Sequence, residues 1–574
     1  MTARSMSLVS AALLIGCAAS PPATIATPSE PSSRTATMPD VPQAAAPQSP
    51  ASVLALARGA ALLDGLGMYQ KKVTASPEAQ AYFDQGLRLT YAFNHDEAAR
   101  SYARAAEIDS SCAMCFWGVA LTLGPNYNVP MLPDRAKAAW DAVTQARALA
   151  TKSTQVEQAL IGALAKRYKG PEAVDPPSMQ PFNVAYADAM REVASRFPGD
   201  LDAQVLFAEA MMNINPWKLW SLDGVAAPGT NEIVLTLERV LARDSNHPGA
   251  NHYIIHAIEA SGHPEGALAS AERLGAMMPG AGHIVHMPAH IFQRVGRYAD
   301  ASAANEKAVI ADVAYMKKVK PPGYYPMYLA HNYGFLGFSA SMEGRASDSL
   351  AASRNAAKAM PPEMLDMMPG MDFFVAEPVL VMVRFGRWDE MLAEPRPDKK
   401  YLTLTGIWLH GHGMALAAKG RLDEAAKDSQ ALASLAQTAP PDLGAGNSVA
   451  RDVFALGARI LDARIATLKK SKNSLTLWNQ AVEMADKLAY SEPDDWFYSV
   501  RHYQAAALLS AGKATEAEAV YREDLRRHPN NGWALFGLWQ ALKAQKRDTA
   551  AAAVKTDFDK AWAHADIKLT SSAF

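Results

Sequence analysis

The sequence predicts an all-α protein built of repeated helix pairs. Three observations lead there. From Val53 onward the chain is rich in Ala and Leu at helical spacing, with no sustained alternation of period two. Gly and Pro gather between the helical stretches rather than within them, where stop signals belong. Small residues also return at a fixed distance: Gly262 and Ala267 reappear as Gly296 and Ala301, 34 positions on. At about 150 residues per domain, 574 residues would otherwise suggest three or four domains. The 56 basic and 58 acidic residues nearly cancel, to a formal net charge of -2. That balance excludes nucleic acid as the leading partner, because phosphate neutralisation needs clustered Lys and Arg. With 49% hydrophobic residues, an acidic disordered chain is excluded as well.

The elements follow in order. Residues 1–16 join Arg4 to an apolar core, Leu8 to Ile15, too short to span a bilayer, and read as a secretory signal. Leu14-Ile15-Gly16-Cys17 resembles the bacterial lipobox. The resemblance implies cleavage before Cys17 and lipid attachment to its sulfur. With Ala18 following, it also implies sorting to the outer membrane of a Gram-negative cell. Residues 17–50 are dominated by Pro, Ser, Thr and Ala, which cannot bury enough apolar surface to offset their ordering. They read as a tether. The body is 51–574. It has no apolar stretch of about 18 residues, so a lipid is its expected membrane attachment.

Within the body, Gly86, Ala98, Tyr102 and Ala105 set out a small–small–aromatic–small pattern, and Gly262, Ala267, Ala271 and Pro279 repeat it. Further copies start at Gly344-Arg345, Gly386-Arg387-Trp388, Gly420-Arg421-Leu422 and Gly512-Lys513, the last running to Tyr521 and Pro529. These residues resemble the tetratricopeptide repeat (TPR) family. The resemblance implies two antiparallel helices per unit, a right-handed α-solenoid, and a concave groove that binds its partner. It covers about two thirds of residues 76–555, roughly eight to ten helix pairs, with insertions at about 124–185, 214–231 and 312–325.

The register directs attention to histidine. His252, His256 and Glu259 stand at i, i+4 and i+7, on the stripe opposite Ile254, Ile255 and Ile258. In TPR-like packing that stripe lines the concave face. One repeat later His286 and His290 take the same places, with His283 three residues earlier. His331 corresponds to His283, and His410 and His502 to His252. Of the 14 His, these eight share one face, whereas His95, His247, His263 and His528 fall at turns. Neutral imidazole suits Zn, Cu, Fe and Ni, and two His one turn apart can grip one ion. The expected ligands are therefore His252, His256, Glu259, His286 and His290, with His283, His331, His410 and His502 as further candidates, holding one ion or two. A hydrogen-bonded polar network is the competing reading. Pro288, between His286 and His290, should start or kink its helix. No HExxH occurs, although Glu259 could act as a base beside a metal-bound water.

Cys112 and Cys115, as Cys-Ala-Met-Cys before a helix, fit a disulfide, a redox or soft-metal pair, or plain buried thiols. Phe116 follows where haem attachment would need His, so no haem is expected. Met360, Met364, Met367, Met368 and Met371 could serve Cu(I) or simply fill gaps. Asn126-Tyr127-Asn128 and Asn215-Pro216-Trp217 with Trp220 form polar–aromatic loops, at the groove's edge or capping helices. No nucleotide-binding loop and no GxSxG elbow is present. The expectation is a lipid-anchored protein on the periplasmic side of the outer membrane, with a His/Glu cluster in its groove. That cluster would bind a transition metal, for sequestration or for metal-assisted catalysis. The alternative is a non-enzymatic scaffold for an envelope protein or peptide.

Overall fold

Helices begin and end where their capping chemistry places them. The computed structural model describes residues 49–574 apart from Pro322 and Met368, so the signal segment, Cys17 and nearly all of the tether lie outside the described residues. In the first pair, Ser76 Oγ accepts from the Ala79 N–H and Pro77 occupies the first helical position of Pro77–Tyr91. Asn94 caps His95–Ile108 in the same manner. Further on, Thr154 and Glu157 close a reciprocal capping box on Gln155–Leu164. Gly420 adopts φ +77° between Leu402–Ala418 and Leu422–Thr438, the left-handed conformation that ends a helix at low cost.

The pairs pack through small residues, as the pattern requires. Tyr102 is wholly buried and its ring lies against Gly86 and Gly118, where an added Cβ would come within 2.8 and 2.4 Å of it. The same device returns near the C-terminus, where Tyr521 lies against Gly537. Most successive helices contact their sequence neighbours, from Pro77–Tyr91 with His95–Ile108 to Gly532–Ala544 with Asp548–Ala561. The body is an all-α solenoid of TPR-like antiparallel pairs. Among the described residues, the strands Gly444–Ala445 and Ser448–Val449 form one small hairpin, and Trp220 and Ala226 an isolated bridge.

The interruptions of the repeat have their own structure. Residues 124–185 carry Ala136–Leu149, Gln155–Leu164 and the start of Pro176–Arg196. Residues 214–231 are mostly loop, and 312–325 hold the end of Tyr298–Val319 and the turn into Tyr325–Met342. The last helices fold back on the middle of the chain. Trp533 is buried, donates its indole N–H to the Ser341 carbonyl at 2.9 Å, and lies under the Arg384 guanidinium at 3.9 Å. Asp566 accepts from the backbone N–H groups of Ala346 and Ser347, capping Ala346–Ala359. No described helix is long and apolar enough to cross a membrane.

This folding back changes the setting of the His face. An open concave surface was expected, yet His252, His256, Glu259, His283, His286 and His290 are all at most 3% exposed. Loops at 125–131, 217–220 and 489–497 cover them and leave cavities above them.

Candidate metal centre

Three elements deliver the histidines. Pro248–Ile258 is buried along its whole length and carries His252 and His256, with Glu259 at its C-cap. Gly282–His286 and Pro288–Arg294 carry His283, His286 and His290, joined at Met287 in right-handed helical conformation. Pro288 thus opens the second segment at its first position, where its missing N–H costs nothing. Tyr325–Met342 carries His331.

The rings come together in two adjacent groups. His252, His256 and His283 each place one ligand atom within 4.8 Å of the others, and so do His286, His290 and His331. His283 and His286 link the groups, with ring centroids 5.9 Å apart. A third set, Glu259, His290 and Glu492, satisfies the same condition.

The hydrogen bonds fix which nitrogen faces inward. His252 Nδ1 is 2.6 Å from the Tyr91 carbonyl, which can only accept, so Nδ1 carries the proton and Nε2 the lone pair. His256 Nδ1 donates to Glu259 Oε1 at 3.1 Å. His286 Nδ1 donates to Asn305 Oδ1 at 2.7 Å, and that side chain is oriented by its own Nδ2 bond to the Ala301 carbonyl. His290 Nδ1 lies 2.8 Å from Glu259 Oε2 and 3.0 Å from Glu492 Oε2. All four rings are pinned at Nδ1, with Nε2 of His252 and His256 left without a protein partner, the arrangement that outer carboxylates and carbonyls impose on metal-ligating His.

The electrostatics keep most rings neutral. Burial and the neighbouring imidazoles push His252, His283 and His286 well below the ordinary His value. Burial lowers His256 as well, and takes His331 to about 3. His290 is the exception: burial lowers it, but Glu259 and Glu492 outweigh burial and raise it to about 10. Burial raises Glu259, yet His290 and His256 prevail and hold it at about 2, whereas burial leaves Glu492 at about 7. Neutral imidazoles beside buried carboxylate are the state in which His ligates.

Two features fit a cation here. His252 Nε2, His256 Nε2 and both nitrogens of His283 are buried without a hydrogen-bond partner, each at a cost of about 1–3 kcal/mol. A closed polar network would have satisfied them. His286 Nε2 and His290 Nε2 also face each other at 2.9 Å. Two ligands on one ion with bonds of ~2.0–2.1 Å stand ~2.9–3.4 Å apart. Without an ion, His290 must be an imidazolium that donates to His286.

Two further candidates belong elsewhere. His410 is bonded to the Gly457 carbonyl at 3.1 Å and the Tyr498 hydroxyl at 2.6 Å. His502 is bonded to Asp524 at 2.8 Å and Arg384 at 2.7 Å. Both are wholly buried structural nodes outside the cluster, because their repeats lie too far along the solenoid. Cys112 and Cys115 form a disulfide at the start of Ala113–Leu123. Met360, Met364 and Met371 pack with Ala330 in a small apolar cluster. Tyr127 stacks on Trp217 at 5.5 Å and meets His256 at 5.1 Å, so the polar–aromatic loops sit directly over the site.

Sequence reasoning missed Glu492, 202 positions from His290, since nothing in a loop between two repeats announces what it will touch. It also missed Phe93, whose ring wedges among His252, His256 and His283 at 4.6–5.8 Å. Phe93 sits in the turn after Pro77–Tyr91 at φ +53°, a placement that its sequence context does not announce.

No family model matches this chain, and no curated protein sequence matches it. Similar solved structures include the human IFIT1 dimer with m7Gppp-AAAA, at 12% identity and TM-score 0.34, covering 79% of this chain and 90% of that one. Yeast Tom70 is similar at 11% identity and TM-score 0.30, covering 83% and 96%. The TPR domain of P58(IPK) is similar at 13% identity and TM-score 0.20, covering 82% and 99%.

Proposed function

We propose that this chain is a lipid-anchored envelope protein whose interior His/Glu cluster binds a transition metal. The Leu14–Cys17 motif supports the anchor and the envelope location. The observation that carries the metal reading is the set of pinned imidazoles with unpartnered nitrogens turned toward one another. His252, His256 and His283 would hold one ion, and His286, His290 and His331 a second. Glu259 and Glu492 orient the rings and balance charge. Imidazole ligands without thiolate favour Zn, Cu or Fe. A bound ion would supply Lewis-acid or redox chemistry, and the cavity beside it favours metal-assisted chemistry over simple storage.

Metal content tests this. Residues 47–574, purified without chelator or His tag, should carry about one ion or more per chain by mass spectrometry. A His252→Ala, His286→Ala double variant should lose it while its helical circular dichroism persists. Absence of metal in both, after reconstitution with Zn, Cu and Fe, would sink the proposal and leave the scaffold reading. That reading draws on a second cavity of about 760 Å³, between the 125–131 and 216–227 loops, edged by exposed Leu222 and Val225.

A further inference from the structure

A cavity of about 240 Å³ opens directly on the cluster, and His256, His283, His290 and His331 form one side of it. Its size is the scale of a small organic molecule rather than a peptide. Its other walls are apolar and aromatic: Tyr328, Met360, Leu380 and Phe497, all buried, with Phe374 at the rim.

Four acids also line it, Glu377, Glu492, Asp494 and Asp495, of which Asp494 pairs with His528 at 3.6 Å. Glu377 opens the helix Glu377–Arg384, and its side chain lines the cavity. Its Oε1 is buried with no hydrogen-bond partner, and no ion pair to it occurs among the described residues. It packs on bare backbone: a Cβ at Gly334 or Gly337 would fall 2.7 or 2.5 Å from its two oxygens. Gly334 lies one turn beyond His331 on the same helix face, so the carboxyl and the cluster border the same space. The neighbouring carboxylates have assigned work: Glu259 and Glu492 bind His290, and Asp495 accepts from the Ser448 N–H at 2.9 Å. Glu377 has none.

From this juxtaposition, and resting on the metal reading above, we infer that the cavity takes a small apolar or aromatic molecule with one metal-binding oxygen head, and that Glu377 hydrogen-bonds that head. An isolated carboxylate in such a wall is strongly disfavoured, so the empty site holds the neutral acid, which can donate. Burial alone pushes this carboxyl well above the usual range. The aromatic walls select the body of the ligand, and the acid and the ion select its head, as in enclosed small-molecule sites generally.

Two hydroxamates test it, because they share a metal-binding head and differ in body. The zinc-reconstituted protein is titrated calorimetrically with benzohydroxamic acid and acetohydroxamic acid, and the metal content of each sample is measured. Benzohydroxamate should bind at least tenfold more tightly. Ala330→Phe and Leu380→Trp fill the cavity from two different helices, and either should erase that preference with metal retained. Glu377→Leu should weaken both ligands about tenfold, whereas Glu377→Gln, which keeps a donor, should bind nearly as well as the parent. Equal affinity of the two hydroxamates for metal-loaded protein would overturn the cavity's role and leave the metal site standing. Unchanged affinity in Glu377→Leu would remove that residue from the inference. Failure of the parent to load metal would overturn both the inference and the reading beneath it.

Discussion

Glu492 shows how one residue completes a site that the repeats alone leave unfinished. It reaches His290 from a loop covering the cluster, so its carboxylate orients the ring without belonging to the repeat. Glu492→Gln should therefore weaken metal retention about 10–100-fold, the usual cost of losing an outer hydrogen-bond partner, measured by competition with a chelator of known affinity. Asp202 shows the structural counterpart. Its carboxylate accepts from the Tyr91 hydroxyl at 2.6 Å and pairs with Lys71 at 3.2 Å. Burial raises its pKa, but His247 and Lys71 outweigh burial and hold it well below the usual range. A depressed carboxyl stabilises above its unfolded pKa of about 4 and loses that contribution as pH falls through the folded value. Asp202→Asn should cost about 3 kcal/mol at pH 7 in urea unfolding, and should flatten the acid limb of the stability profile.

At the scale of elements, the glycines of the repeat are packing residues. Tyr102 fills the crossing between Pro77–Tyr91 and Ala113–Leu123 only because Gly86 and Gly118 present no side chain. Gly118→Ala should cost about 1–3 kcal/mol by overpacking, read as a lower thermal midpoint, with metal content unaffected because the site lies elsewhere. The break at Met287–Pro288 is equally specific. It lies between His286 and His290, while His283 meets His252 and His256, and His286 and His290 meet His331. Sequence spacing placed all five rings on one face but could not divide them, because the division depends on which neighbouring helix, that of His252 and His256 or that of His331, each ring meets.

At the scale of the whole molecule, the site joins parts of the chain far apart in sequence. The groups around His290 run from Glu259 to Glu492, and the segment bearing Glu492 leads into helices that pack back on Tyr325–Met342. A ligand that binds only the folded state stabilises it by mass action. Saturating zinc should accordingly raise the thermal midpoint by several degrees, with chelator reversing the rise. Hydrogen exchange should slow at residues 489–497 as well as around the His helices. Protection confined to 248–294 would show that the covering loop does not take part.

The sequence by itself determined the helix pairs, their small-residue crossings, and the stripe of His252, His256, His286 and His290, because helical periodicity and repeat register are local and additive. It likewise marked His410 and His502, which share the stripe's register but lie outside the cluster. Only the tertiary structure decided which rings meet, that the face is enclosed rather than open, and that Glu492, Phe93 and Glu377 border it. The physical reason is that a solenoid's register fixes the direction of each side chain along its own helix. Which distant loop closes over that face depends on how the later repeats fold back, a sum of many weak contacts that no single stretch of sequence encodes.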